Sequence, residues 1–160
     1  MYIDPDMYRP ITAKLHQELK PTVPVDIVTI VSSFSDITIK TVDNLPKEPL
    51  VTYANEGYTF IVTDNPTTNE RFRMAIDLAH ILLSHVANAY NLYRKNANEL
   101  MFEAYILGAA ILCPEDDFRE AVLDYTDKDD YADIEQVANH LNIPLSVAKT
   151  FGRQLNLIQP

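Results

Sequence analysis

The sequence predicts an α+β fold: a small, mostly antiparallel three-stranded sheet packed on a long helix, with several further helices around it. Three observations carry this reading. Three short runs between residues 37 and 62 are rich in β-branched and aromatic residues and alternate in polarity, the two-residue period of a half-buried strand. From residue 69 onward the apolar residues recur at three- and four-residue steps, the period of an amphipathic helix. Prolines at positions 21, 24, 114 and 144 separate the helical stretches.

Taken in order, residues 10–20 form a short helix with Leu15 and Leu19 four apart, broken by Pro21 and Pro24. Residues 26–34 are expected as a second helix, against their β-branched content. Ile37-Thr38-Ile39-Lys40-Thr41-Val42 is a strand, and residues 50–53 and 58–62 are two more. Ala54-Asn55-Glu56-Gly57 is turn chemistry, so the last two strands form a hairpin. Asp64-Asn65-Pro66-Thr67-Thr68 is a loop ending in a helix cap. A long helix is expected over residues 69–90, with Phe72, Ala75, Ile76, Ala79, Leu83 and Val86 on its stripe. The next, residues 96–112, carries Leu100, Ala104, Leu107 and Ile111, and Pro114 ends it. Three shorter helices are expected near residues 115–125, 131–141 and 145–155.

Length points to one domain over residues 1–160, made of N-terminal helices (1–35), the sheet and two long helices (36–114), and C-terminal helices (115–160). At 47% hydrophobic residues the chain can build a core. It has no apolar run of about 18 residues, so no membrane span is expected. Its start, Met1-Tyr2-Ile3-Asp4-Pro5-Asp6, lacks the pattern of a signal peptide. The single cysteine, Cys113, lies in an apolar stretch and reads as a small buried residue; a cytoplasmic setting fits it. The formal net charge is −10, and residues 115–133 hold nine acidic side chains against Arg119 and Lys128. Such a face repels phosphate, which argues against direct nucleic-acid binding. It serves solubility or attracts a basic partner.

Two ionisable groups stand on or beside apolar stripes. His80 is four after Ile76 and three before Leu83, on the inward side of its helix. Glu103 is bracketed by Leu100 and Leu107, and a carboxylate there is costly to bury without a partner. His80 is the expected partner if the two helices pack together. Such a pair is either a hydrogen bond that orders the core or part of a His₂Glu zinc site, which needs a further histidine one turn earlier. Ile76 holds that position and has no lone pair to offer. His85 falls about 140° around a continuing helix from His80 and is expected to point elsewhere. Asp77, about 60° from His80 on the same count, can lean toward it. His16 and His140 read as ordinary surface or partly buried histidines.

Arg71-Phe72-Arg73-Met74-Ala75-Ile76-Asp77-Leu78-Ala79-His80-Ile81-Leu82-Leu83-Ser84-His85 resembles the phrase R-F-T-x-A-H-E-x-x-H-x-L-L-H of the ImmA/IrrE family of zinc peptidases. Glu103-Ala104-Tyr105-Ile106-Leu107-Gly108-Ala109-Ala110-Ile111-Leu112-Cys113-Pro114 resembles the family's E-A-x-x-F-A-A-x-L-L-x-P. Residues 134–148 resemble its closing pair of short helices, so the likeness runs from about residue 27 to residue 158. It implies a zincin-like fold. In that likeness His80 matches the second zinc histidine, Glu103 the downstream carboxylate ligand, and Asp77 the glutamate general base. Ile76 replaces the first zinc histidine. The first change removes a ligand, and the second moves the base by about an ångström, a displacement that is expensive in catalysis.

The resemblance therefore implies a degenerate metallopeptidase with weak or no zinc chemistry, a pseudo-peptidase that acts by protein binding. The implied partner is a helix-turn-helix transcriptional repressor of a phage or mobile element, with the chain as antirepressor. A groove near residues 58–62 and His80 would receive the partner, by edge-strand pairing if it is extended. One alternative is an active zinc endopeptidase that cleaves such a repressor, with His80, Glu103 and Asp77 holding the metal. Another is an antitoxin-like or structural interaction domain. The helix at 145–155 is a weak candidate for reading DNA, since its basic residues are only Lys149 and Arg153.

Overall fold

The computed structural model describes residues 2–45, 51–54, 57–85, 97–128 and 131–159. In chain order these form helices α1 (Pro5–Leu19) and α2 (Ile27–Ser32), then strands β1 (Ile37–Thr41), β2 (Val51–Ala54) and β3 (Gly57–Val62). Helices α3 (Thr68–Leu82), α4 (Ala97–Leu112), α5 (Glu115–Asp124), α6 (Ile134–Leu141) and α7 (Leu145–Gln154) follow. This is the expected α+β architecture, and no described helix is long and apolar enough to cross a membrane.

Capping chemistry moves several boundaries. α1 begins at Pro5 rather than at residue 10, because the Asp4 carboxylate accepts from the Asp6 N–H and Pro5 sits in the first turn, where its missing N–H costs nothing. Pro10 lies inside this helix instead of opening it. Asp26 and Asp133 are caps outside α2 and α6 and not their members, each accepting two backbone N–H groups of the first turn. Residues 50, 55–56, 86–90 and 96, on which expected elements also drew, lie outside the described residues.

The sheet has the order β1-β3-β2. β2 and β3 pair antiparallel, with Tyr53 opposite Tyr58, as the turn chemistry between them implied. β1 runs parallel to β3, from Ile37 opposite Tyr58 to Thr41 opposite Val62. The sheet is therefore mixed rather than mostly antiparallel. Alternation of side chains marks a strand and its buried face but carries no information about its direction.

One core joins these layers. Ile27, Ile30 and Val31 of α2, Phe60 and Val62 of β3, and Phe72, Ala75, Leu78 and Ala79 of α3 are all buried in it. α4 runs through the middle, buried from Ile106 to Leu112 and touched by α1, α3 and α7. Its contact with α3 is backbone to backbone: a Cβ added at Gly108 would stand 3.1 Å from the Ala75 carbonyl carbon and the Ile76 nitrogen. Glycine is what lets the two helices approach so closely. Arg71, also buried, donates to the carbonyls of Asn142 and Val25, and so ties α3 to the segments before α2 and after α6. Cys113 is buried, and that burial pushes its thiol pKa far up.

Candidate functional site

The site forms where α3 stops. The helix was expected to run to residue 90, but it ends at Leu82, and Ser84 adopts a left-handed backbone with φ 56°. The Ser84 N–H donates to the Ile81 carbonyl, and the His85 N–H donates to the His80 carbonyl at 2.9 Å. These two bonds are the Schellman closure of a helix C-terminus, with serine where glycine is usual. The closure folds residue 85 back over residue 80.

The expectation that His85 points away from His80 is therefore wrong. The angle of about 140° holds only along a continuing helix, and the chain leaves the helix before residue 85. In the structure the two rings lie edge to face with centroids 5.1 Å apart, and the Nδ1 atoms are 2.9 Å apart, a hydrogen bond. The other ring nitrogen of His85, Nε2, stands 3.4 Å from Glu103 Oε2. Glu103 is buried, as its two flanking leucines implied, but the imidazole it meets here is that of His85. His85 itself is only 6% exposed, so both partners meet largely out of water.

One tautomer pattern satisfies these contacts with both rings neutral. An ionised carboxylate only accepts, so the proton of a neutral His85 belongs on Nε2, facing Glu103. Its Nδ1 then accepts, and His80 donates from its own Nδ1. That leaves the lone pair of His80 on Nε2. Burial, and then the neighbouring His85, hold the His80 pKa below the ordinary imidazole value, which favours this neutral form.

Asp77 lies one turn before His80 and is half-buried. Burial raises its carboxyl pKa to about 6, partly opposed by Arg73. Ile76 beside it packs against the core. His16 donates to or accepts from no site residue; its Nε2 meets the Ile111 carbonyl at 3.1 Å and ties α1 to α4. His140 is exposed, with its ring against Tyr125. An open groove of about 410 Å³ lies at the opposite end of α3, lined by Asp43, Thr63, Asp64, Thr67 and Glu70 among others.

A His₂Glu zinc centre needs three protein ligands converging on one point. Among the described residues no three His, Cys, Asp or Glu side chains are placed to hold a metal ion. The nearest approach to one, His80 with His85 and Glu103, fails on geometry. His80 meets His85 through Nδ1 and not through the Nε2 that carries its lone pair, so the two rings do not offer two lone pairs to one point. His85 also uses opposite edges of its ring for His80 and for Glu103, so a single ion cannot replace both contacts. The residues present do not fit the zinc centre that the resemblance implies.

The model of the IrrE N-terminal-like domain matches residues 26–151. A solved structure, a Mycobacterium tuberculosis transcriptional regulator, superposes with a TM-score of 0.67 at 16% identity, covering 92% of this chain and 46% of that one. The chain thus spans less than half the length of that regulator, and the likeness speaks for the fold alone. No curated protein matches the chain. The family match takes in every strand, the site and the helices from α2 to α6, and on it the chain belongs to the IrrE N-terminal-like domain family.

Proposed function

We propose that this domain regulates by binding another protein and not by zinc-dependent hydrolysis. The observation that carries this reading is the loss of convergent ligands. Ile76 stands where the family's first zinc histidine belongs, and the remaining His80 and Glu103 both meet the imidazole of His85. Membership of the IrrE N-terminal-like family supports a regulatory setting. The partner in this reading is a helix-turn-helix transcriptional repressor, and the chain acts in the cytoplasm as an antirepressor of a phage or mobile element. The excess of acidic residues over 115–133 supports contact with a basic protein and opposes contact with DNA.

The test uses a helix-turn-helix repressor encoded beside this chain's gene, bound to fluorescent operator DNA. The expected result is release of the DNA, unaffected by EDTA, with the repressor intact on a denaturing gel. A repressor that stays on its operator, and does not co-purify with the chain at modest salt, contradicts the reading.

A second reading, an active endopeptidase, is favoured by one feature. The Asp77 carboxyl, with a pKa of about 6, is tuned toward the range of a general base. In that reading His80 and Glu103 hold the metal with Asp77 beside them. Repressor fragments that form with zinc and vanish with EDTA or in Asp77→Asn would establish it.

A further inference from the structure

We propose that His85 does the cross-linking that a metal ion would do in this fold, clasping the end of α3 to α4 through its imidazole and keeping zinc out. The proposal concerns the site alone and does not depend on which protein the domain binds.

A zinc centre with ligands on two helices is also a structural tie between them. Here the same two helices are tied without one. His80 belongs to the last turn of α3, Glu103 to α4, and His85 reaches both, at 2.9 Å and 3.4 Å. Along the same two helices Gly108 meets the backbone of Ala75 and Ile76, where a Cβ would stand 3.1 Å away. The buried Glu103 carboxylate and the buried His85 imidazole favour a partner in such a place. The fold provides one by spending a left-handed serine at residue 84 to bring His85 back. His85 then competes with any metal for the Glu103 carboxylate, while its contact with His80 is made at Nδ1 and fixes the ring that carries the Nε2 lone pair. Residue 76 alone does not explain the departure from a zinc centre: the turn after α3 has brought an organic side chain into its place.

Two consequences can be measured. The first is the tautomer pattern, read on the full chain at pH 8 from long-range ¹H–¹⁵N spectra of the histidine rings. The clasp requires a protonated Nδ1 on His80 and a protonated Nε2 on His85, with no change on adding equimolar zinc chloride or EDTA. A proton on Nε2 of His80, or zinc-dependent shifts of either ring at stoichiometric metal, overturns the proposal. This measurement needs no variant, so it stands even if substitutions disturb folding.

The second is competition with metal. Ile76→His with Asp77→Glu restores the family's words, and zinc affinity is measured by calorimetry with and without His85→Ala. The clasp predicts at least tenfold tighter zinc binding when His85 is removed from the restored chain. Equal affinity in the two backgrounds contradicts it. Thermal melts give a third reading: His85→Ala should lower the Tm by about 3 °C or more. An unchanged Tm, with or without zinc chloride, removes the clasp.

Discussion

The two ends of α3 are closed by different chemistry. At the N-terminal end Thr67 accepts from the Glu70 N–H and the Glu70 carboxylate accepts from the Thr67 N–H, a complete capping box. Every group in it is local, polar and written into four consecutive residues. At the C-terminal end a serine takes a backbone conformation that side chains disfavour, and the reward lies in a contact with another helix. The well-capped end holds the helix in place. The strained end carries the partly buried ionisable cluster, in keeping with the tendency of strain to gather at sites of function. In this chain the strain serves the meeting of His85 with His80 and Glu103.

Substitutions at the two ends separate these roles. The largest effect belongs to His85→Ala, which leaves the buried Glu103 without the imidazole it faces. A loss of about 1.5–3 kcal/mol is expected in urea unfolding at pH 7, the scale of a hydrogen bond to a charged group. A loss under about 0.5 kcal/mol would mean that the cluster is energetically idle.

Asp77→Asn comes next and has the opposite sign. Folding raises the Asp77 pKa to about 6, so the folded chain holds this proton more tightly than the unfolded chain. The penalty of the charged form is absent below the unfolded value near pH 4, grows as pH rises toward 6, and stays constant above. Full conversion of the shift would give about 3 kcal/mol, and solvent screening at a half-buried carboxyl reduces it to roughly 1–2 kcal/mol. Urea unfolding should show the variant more stable than the parent at pH 7 and equal to it near pH 4. A difference that does not change with pH would remove burial of the charge as its cause.

How much of this was legible in the sequence differs between the same two ends. Thr67 and Glu70 stand in the spacing of a capping box, so a helix start was plain, and the stripe through Phe72, Ala75 and Ala79 gave its buried face. Glu103 could be read as buried because leucines bracket it at helical spacing. The end of α3 was not legible, because its stop lacks the glycine that usually marks a Schellman closure. With the helix extended too far, helical angles placed His85 on the wrong side, and His80 was paired directly with Glu103. The parallel run of β1 beside β3 was hidden for another reason: strand direction depends on tertiary placement and leaves no mark in alternation. The early start of α1 did have a sign, an aspartate followed by proline, which the later Pro10 obscured.

Two smaller effects sharpen the contrast. Thr67→Ala should cost about 1 kcal/mol in urea unfolding, as the loss of an N-cap does, without altering the ring-nitrogen spectrum of His80 and His85. Ser84→Gly should stabilise the chain by about 0.5–1 kcal/mol, since glycine adopts positive φ freely. Its ring-nitrogen spectrum should also be that of the parent. If Ser84→Gly destabilises, the left-handed turn at residue 84 is not what closes α3.

The most direct test is metal content. The chain is purified without chelator beside His80→Ala, and bound zinc is measured by elemental analysis. A site held by His85 in place of an ion predicts well under stoichiometric zinc in both proteins. Near-stoichiometric zinc in the parent, lost in His80→Ala, would contradict it and return the site to metal chemistry.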